Sequence, residues 1–470
     1  MKKSNGILKK GILLFVALTW MLSNVVSQDV DTVMNVKAKD GWNFGGLPVL
    51  SFDSDLGFQY GVLGSVYHYG DGSRYPEFDH RFYVEASWFT KGSGIFRFAY
   101  ESDRLIKNIR LNFDISYIPD DAYDFLGFNG YEAVYNQDWT DQDAEAYKTR
   151  AFYKLGRKMF KTRVDFAGHL AVKNLYWTAG LEYYNVEIKS VDIDKYNKGK
   201  SEEDLLPSLD ELPGLYERYQ DWNIITADNK DGGNVFGIKA GLMYDSRNTR
   251  AHPTKGIWTE AGVFYAPSFA NDVDNGYLKI YATHRQYLSL VKNRLTFAYR
   301  IGYQTSVVNE APWYAEQFII TSELRGSTSE GLGGGKNLRG IKRNRVVGDG
   351  VLYGNLELRW KVVFFKFIGQ NFYIGLNGFV DGGQIVKLIP TKEQVDLIPE
   401  NLVDPGGVYV EGDPVKSDFF DIGAEKLHSS WGAGLRIAMN ENFIIAVDYG
   451  RVMSEKDGGS GIYIGLNYLF

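Results

Sequence analysis

The amino-acid sequence predicts an all-β protein, a transmembrane antiparallel β-barrel of about 16 strands. Three observations lead to this fold class. Apolar and polar residues alternate in segment after segment, long connections alternate with tight turns, and the chain contains 52 glycines and 15% aromatic residues. Half-apolar strands rich in tyrosine, phenylalanine and glycine are typical of outer-membrane barrels.

The alternating segments are longer than the strands of a soluble sandwich. Apolar and polar side chains alternate from Ile109 to Tyr117 and again from Leu175 to Tyr184. Such segments are roughly 9 to 15 residues long, near the length that crosses a bilayer with tilt, whereas soluble strands average about 5 to 6 residues. A soluble all-β array also alternates, but the length favours the membrane barrel. The same pattern recurs at 236–244, 295–301, 356–362, 372–380 and 443–449.

The chain begins with a segment typical of a secretory signal. Residues 1–27 combine four lysines with one apolar run. We predict that this signal is removed, leaving a short periplasmic segment over 28–45 and a barrel over 46–470. An uncleaved anchor is the alternative, but the run is short and polar residues interrupt it.

Composition argues against several kinds of site. The chain has no cysteine, which removes disulfide frameworks, thiol catalysis and thiolate metal sites. Its formal charge of −6 argues against nucleic acid as a partner, because no basic face is implied. The six histidines form no His-Glu-x-x-His pattern, and no Gly-x-Ser-x-Gly motif occurs. We therefore predict no cofactor, no metal site and no enzymatic activity.

Two short stretches superficially suggest ligand sites. The stretch from Gly331 to Lys336 is similar to a phosphate-binding loop, but Asn337 stands where that motif needs serine or threonine. Asp192, Asp194 and Asn197 have a weak calcium-loop spacing, yet neighbouring lysines would repel the cation. We expect neither a nucleotide site nor a calcium site.

Connection lengths test the barrel independently, because outer-membrane barrels place short turns in the periplasm and longer loops outside. Tight connections include 172–174, 291–293 and Asp245 to Gly256. Counting 148–170 as one long strand gives 16 strands, an even number that places both termini in the periplasm. The long connections lie near 118–147, 190–232, 307–347 and 384–428.

A glycine-rich loop in the third of these long stretches carries an arginine, and the two strands that follow it carry carboxylates. An arginine inside a protein keeps its proton and needs a carboxylate, preferably in a bidentate pair. Glu357 and Asp381 are expected to face inward, since apolar neighbours take the outward positions. The loop motif consists of Leu338, Arg339, Gly340 and Ile341.

The chain ends on an apolar stripe of Ile462, Ile464, Leu466, Tyr468 and Phe470. A terminal strand with a final aromatic residue is what bacterial barrel assembly machineries recognise. We expect Tyr468 and Phe470 to form such a C-terminal assembly signal. The alternative is a last strand that merely ends in phenylalanine.

Together these motifs resemble the BamA/TamA-type bacterial surface antigen superfamily of outer-membrane barrels. Leu338 to Ile341 is similar to that family's Val/Ile-Arg-Gly-Phe/Tyr motif on the sixth outer loop, and 379–383 to its Phe-x-Asp-x-Gly motif one strand later. The C-terminal pattern is represented by 432–436 and 448–450. The periplasmic turn of the family is matched by Asp245, Arg247, Pro253 and Gly256.

The resemblance implies a 16-stranded barrel whose sixth outer loop folds into the lumen, with Arg339 docked on Asp381 and Glu357. It also implies a weak seam between the first and last strands, and Pro48 predicts partial pairing there because proline lacks an N–H. The implied role is protein insertion or translocation at the cell outer membrane. Outer-membrane lipid and periplasmic or lipoprotein assembly factors would be the partners.

One feature departs from the family. Members that insert or secrete proteins carry periplasmic POTRA modules before the barrel, whereas the segment 28–45 is too short to bury a core. We therefore expect a POTRA-less member. A passive diffusion channel, or a structural barrel without insertase activity, is the alternative function.

Overall fold

The computed structural model describes the chain from Lys39 to its end, with short gaps. The predicted signal over 1–27, and the part of the periplasmic segment before Lys39, lie outside the described residues. No helix in the described part of the chain is long and apolar enough to span a membrane. The described ranges are 39–75, 77–250, 252–272, 275–322, 330–367, 370–402, 414–439 and 443–470.

Sixteen strands in the described part of the chain form one closed barrel, which confirms the predicted fold class. Each strand pairs antiparallel with the next in sequence, and the last pairs with the first. The strands are β1 (Trp42–Asp53), β2 (Gly57–His68), β3 (His80–Phe89), β4 (Gly94–Ile106), β5 (Ile109–Asp124), β6 (Lys154–His169), β7 (Leu175–Lys189), β8 (Gly232–Asp245), β9 (Gly256–Ala266), β10 (Tyr277–Val291), β11 (Leu295–Val308), β12 (Gly350–Phe367), β13 (Gln370–Lys387), β14 (His428–Met439), β15 (Phe443–Val452) and β16 (Ser460–Leu466).

Three predicted boundaries differ from the structure. The long strand predicted over 148–170 is β6, which begins only at Lys154. The barrel begins at Trp42 rather than at residue 46, because the apolar alternation extends back through Trp42 and Phe44. The connection after β5 begins beyond Asp124 rather than near residue 118. That strand continues because its inward residues, including Asp120 and Asp124, hold ion-pair partners inside the barrel.

The walls are polar inside and apolar outside. In β12, Glu357 is 1% exposed, whereas its neighbours Leu356 and Leu358 are 48% and 44% exposed. Asp381 in β13 is fully buried beside Val380, which is 44% exposed. Because successive strand residues face opposite sides of a sheet, polar side chains line the lumen and apolar ones form the outer surface.

The two ends of the barrel differ. We call the end with the short connections after even-numbered strands the turn end, and the opposite end the loop end. At the loop end the long connections pack together into an aromatic cluster, which we call the dome. Burial of so many rings makes this end well packed. The dome includes Phe125, Phe128, Trp139, Phe152, Tyr216, Tyr219, Trp313, Phe419 and Phe420.

Candidate functional site in the lumen and at the strand seam

The loop between β11 and β12 places Arg339 against the inward carboxylates of the next two strands. Arg339 is fully buried, and its Nη1 lies 2.6 Å from Oε1 of Glu357. Its Nε and Nη2 donate to the two carboxylate oxygens of Asp381 at 2.9 and 3.0 Å. The backbone N–H of Arg339 also donates to Asp381, at 3.1 Å. The structure thus brings the three residues of the predicted docking site together.

Three further residues complete this cluster. Arg339 Nη1 also lies 3.4 Å from Asp448 in β15. Arg436 binds Asp448 through both terminal nitrogens at 2.8 and 2.9 Å, and Arg359 donates to Glu357 at 2.7 Å. Three guanidinium groups therefore face three carboxylates, so the buried cluster is formally neutral.

The sequence analysis did not assign this role to Asp448. Its signal was present, because Asp448 alternates with the apolar Val447 and Tyr449 and therefore faces inward like Glu357.

Close backbone contact seats the loop. Gly340 has φ +94, and a Cβ there would lie 2.7 Å from the backbone of Gly450 in β15. The guanidinium of Arg339 stacks on the Phe379 ring at 3.5 Å. Leu338 and Ile341 are fully buried in the apolar cluster beneath the loop. Only glycine satisfies both the positive φ and the close approach at position 340.

The same loop also contacts the opposite wall. Arg343 donates to Asp120 at 2.9 Å and to Asp124 at 3.1 Å, both in β5. Arg345 donates to the carbonyl oxygens of Gly130 and Ala133 at 2.7 and 3.1 Å. A segment tied to β12, β13 and β15 on one side and to β5 on the other crosses the lumen.

The seam between β1 and β16 is short. Among the described residues, the register joins two pairs, Phe52 with Ile464 and Asp53 with Tyr463, whereas β1 and β2 are joined along all 12 residues of β1. The Ser54 N–H adds one bond to the Ile462 carbonyl at 3.1 Å. Pro48 lies in the part of β1 without a β16 partner, so the predicted partial pairing is confirmed.

The apolar stripe predicted to run to the end of the chain stops before Tyr468 and Phe470. β16 ends at Leu466, and Asn467 has φ +68, a left-handed conformation that redirects the chain. Tyr468 and Phe470 are consequently 9% and 2% exposed rather than outward-facing. Arg359 Nη2 donates to the Phe470 backbone oxygen at 3.0 Å and lies over both rings. The residues of the expected assembly signal are thus buried in this folded state.

The predicted periplasmic turn is a compact structure at the turn end. Arg247 binds Asp245 through Nε and Nη2 at 2.8 and 2.7 Å. Its guanidinium lies 3.7 Å from the centre of the Trp258 ring. Gly256 has φ +108, and a Cβ there would lie 2.3 Å from a backbone oxygen. Pro253, which the sequence also singled out, is buried and lines a small cavity.

The two stretches with weak ligand-site resemblance have structural explanations. Asn337 Oδ1 accepts from the Gly333 N–H at 2.7 Å, so it closes its own loop. Asp192 Oδ1 accepts from the Lys195 N–H at 2.9 Å and caps a short helix. Within the described ranges, no group of three or more His, Cys, Asp or Glu residues is arranged to hold a metal ion.

A closed 16-stranded barrel with a polar inner face, to which an arginine-bearing loop binds, defines an outer-membrane-type β-barrel. The family model of the Omp85 superfamily domain matches residues 93–470, and the chain belongs to this superfamily. No POTRA module is matched in the same comparison.

Two solved structures share the fold. BamA from Haemophilus ducreyi, lacking POTRA domains 1–3, has 15% identity and a TM-score of 0.50, covering 92% of this chain and 71% of its own. CdiB from Escherichia coli has 10% identity and a TM-score of 0.50, covering 91% of this chain and 62% of its own. No curated protein matches the chain.

Proposed function

We propose that this protein resides in the outer membrane and assists protein insertion or translocation there, in a non-enzymatic role. Membership of the Omp85 superfamily supports this role. So does the distribution of polarity, because outward leucines and valines suit lipid while buried arginine and carboxylate pairs suit a lumen. The turn end then faces the periplasm, where periplasmic or lipoprotein assembly factors would act as partners.

The short seam is the observation that carries the proposal. Backbone groups without partners are costly in hydrocarbon, because no water is present to satisfy them. Residues 42–51 of β1 have no β16 partner in the described part of the chain. The barrel wall should therefore open most easily between β1 and β16. A strand of a client protein could then pair with the backbone N–H and C=O groups of β1.

A passive diffusion channel, or a structural barrel, remains the second candidate. The loop that crosses the lumen and the packed dome favour the first role, since both obstruct a water-filled path. Ion conductance in planar bilayers separates the two. A passive channel conducts steadily, whereas we expect brief and rare openings from the wild type.

A disulfide across the seam tests the proposed function. Phe52→Cys with Ile464→Cys places one cysteine on each strand at a paired position, in a chain that has no other cysteine. We expect the oxidised variant to lose insertion of a small barrel substrate into proteoliposomes, and reductant to restore it.

The matched control carries a disulfide between β15 and β16, two strands that are paired without interruption. Val447→Cys with Ile464→Cys joins paired positions of β15 and β16. We expect its oxidised form to keep wild-type insertion. Full activity with the first and last strands covalently joined would refute a role for the seam.

A further inference from the structure

Several connections at the turn end share an exposed lysine. Three have the same local sequence, an apolar residue followed by lysine and asparagine, and these asparagines have φ +62, +64 and +58. The left-handed conformation explains asparagine, but no turn geometry requires lysine before it. We define the lysine rim as the exposed connection lysines Lys107, Lys173, Lys255 and Lys292 together with Lys366, which lies near the end of β12.

The rim lysines lack carboxylate partners. Within the described ranges, no carboxylate lies at ion-pair distance from any of the five ammonium groups, although Arg74, Arg110 and Arg250 at the same end are paired. The connections 170–174 and 292–294 contain no acidic residue at all. The loop end is different, since 137–147 alone carries four acidic residues. The overall charge of −6 therefore conceals a basic margin at one end.

Exposed apolar side chains accompany the lysines. Leu105 is 56% exposed, Val172 60%, Leu290 56% and Phe367 59%. A lysine stem lying along such residues reaches the edge of an apolar surface while its ammonium group stays in a polar layer. Four of the five positions, all except Lys255, thus combine an exposed apolar side chain with a lysine that has no carboxylate partner in the described part of the chain.

The spacing of the lysines identifies the kind of partner. Neighbouring strands lie about 4.8 Å apart, so successive turns are separated by roughly 10 Å around the barrel. The five cations therefore follow the outer margin rather than converge on one small anion. A lipid leaflet surrounds a barrel in this way, whereas a periplasmic protein would cover its mouth.

We propose that the lysine rim binds the phosphate groups of anionic phospholipids in the inner leaflet of the outer membrane. This inference rests on the membrane placement given above as the proposed function. The ammonium groups supply the charge and hydrogen bonds to lipid phosphate, and the adjacent apolar residues contact the acyl chains. Bound anionic lipid then sets how deeply the turn end sits in the membrane.

The test compares two triple variants of the full chain. The rim variant changes three lysines to glutamine, at positions Lys107, Lys173 and Lys292. The matched control makes the same change at three exposed lysines of the loop end, Lys189, Lys198 and Lys200. Native mass spectrometry measures phosphatidylglycerol and phosphatidylcholine retained from an equimolar mixture. We expect the rim variant to bind phosphatidylglycerol about fivefold more weakly for each lysine, or roughly a hundredfold in total, and the control to match the wild type.

Each remaining outcome is decisive. Equal phosphatidylglycerol binding by the wild type and the rim variant, or an equal loss in the control, overturns the inference. If millimolar inorganic phosphate displaces the lipid, the rim binds phosphate in general and the assignment to phospholipid is wrong. The assignment is also wrong if the rim prefers an acidic protein to phosphatidylglycerol. Cell fractionation separates the two proposals. If the wild type is absent from the outer membrane, the proposed function fails; if it is present without a lipid preference, only the rim inference fails.

Discussion

Arg339 shows how a single residue holds the loop in the lumen. Its guanidinium reaches three carboxylates from three strands, and its face covers the Phe379 ring. A fixed planar fork suits this arrangement, and lysine has no equivalent. Removing the side chain leaves three buried carboxylates opposed by two arginines.

Arg339→Ala should loosen the loop and lower the heat resistance of the barrel. Breaking a buried pair costs about 3 to 5 kcal/mol, and Arg339→Lys should recover only part of that loss. Heat-modifiable gel mobility, together with protease cleavage within 330–347, measures the effect. Lys336→Ala, an exposed position in the same loop, is the control. Wild-type behaviour of Arg339→Ala would show that the ion pairs do not hold the loop.

Asp55, in the connection after β1, should make stability depend on pH. Burial, with the nearby Asp53 and Asp124 carboxylates, raises the pKa of Asp55 to about 6. The folded state then holds a proton that the unfolded state has released, so stability falls as pH rises from about 4 to about 6. We expect the free energy of unfolding, measured with urea at several pH values across this range, to depend less on pH in Asp55→Asn than in the wild type. An unchanged slope in that variant would assign the pH dependence to other groups.

At the scale of elements, the connection between β8 and β9 is tied to the β2–β3 connection and to strand β4. Arg250 lies 2.9 Å from Glu77 and 3.3 Å from Asp103, which belong to the β2–β3 connection and to β4. Asp103 also pairs with Arg74 and Arg110. Pairs this exposed contribute little individually, but one shared acid couples three segments at the turn end.

Asp103→Asn should release the connection that carries Arg250. We expect trypsin to cleave after Arg250 about fivefold faster, corresponding to about 1 kcal/mol of lost pairing. The rate of cleavage is followed on purified protein. Asp71→Asn, an exposed acid in the β2–β3 connection, should leave it unchanged. Equal rates for both variants would mean that the pairing does not restrain this segment.

For the whole molecule, the even strand number and the alternation of connection lengths predict one orientation. The long connections should face the outside of the cell and the lysine rim the periplasm.

Cysteines at single exposed positions test this orientation. Ser201→Cys, in the long connection after β7, should react with a membrane-impermeant maleimide on intact cells. Lys173→Cys should react only after the outer membrane is permeabilised. The reverse pattern would invert the topology, and labelling of both on intact cells would remove the membrane barrier between the two ends.

The sequence alone determined the features that depend on local period. Alternation identified the strands and placed Glu357 and Asp381 on the inward face, because side-chain direction has a period of two. The alternation of long and short connections predicted an even number of strands, counted as 16. The proline in β1 predicted partial pairing at the seam. None of these conclusions required knowledge of contacts between distant segments.

Only the tertiary structure decided which inward residues meet. Asp448 joins Arg339 across 109 positions, and Arg343 reaches Asp120 across 223, distances over which no periodic pattern carries information. The burial of Tyr468 and Phe470 depends on one left-handed asparagine and on Arg359 from a distant strand. Closure of the barrel brings these groups together, so the partners of each charge follow from the path of the loop through the lumen rather than from any local pattern.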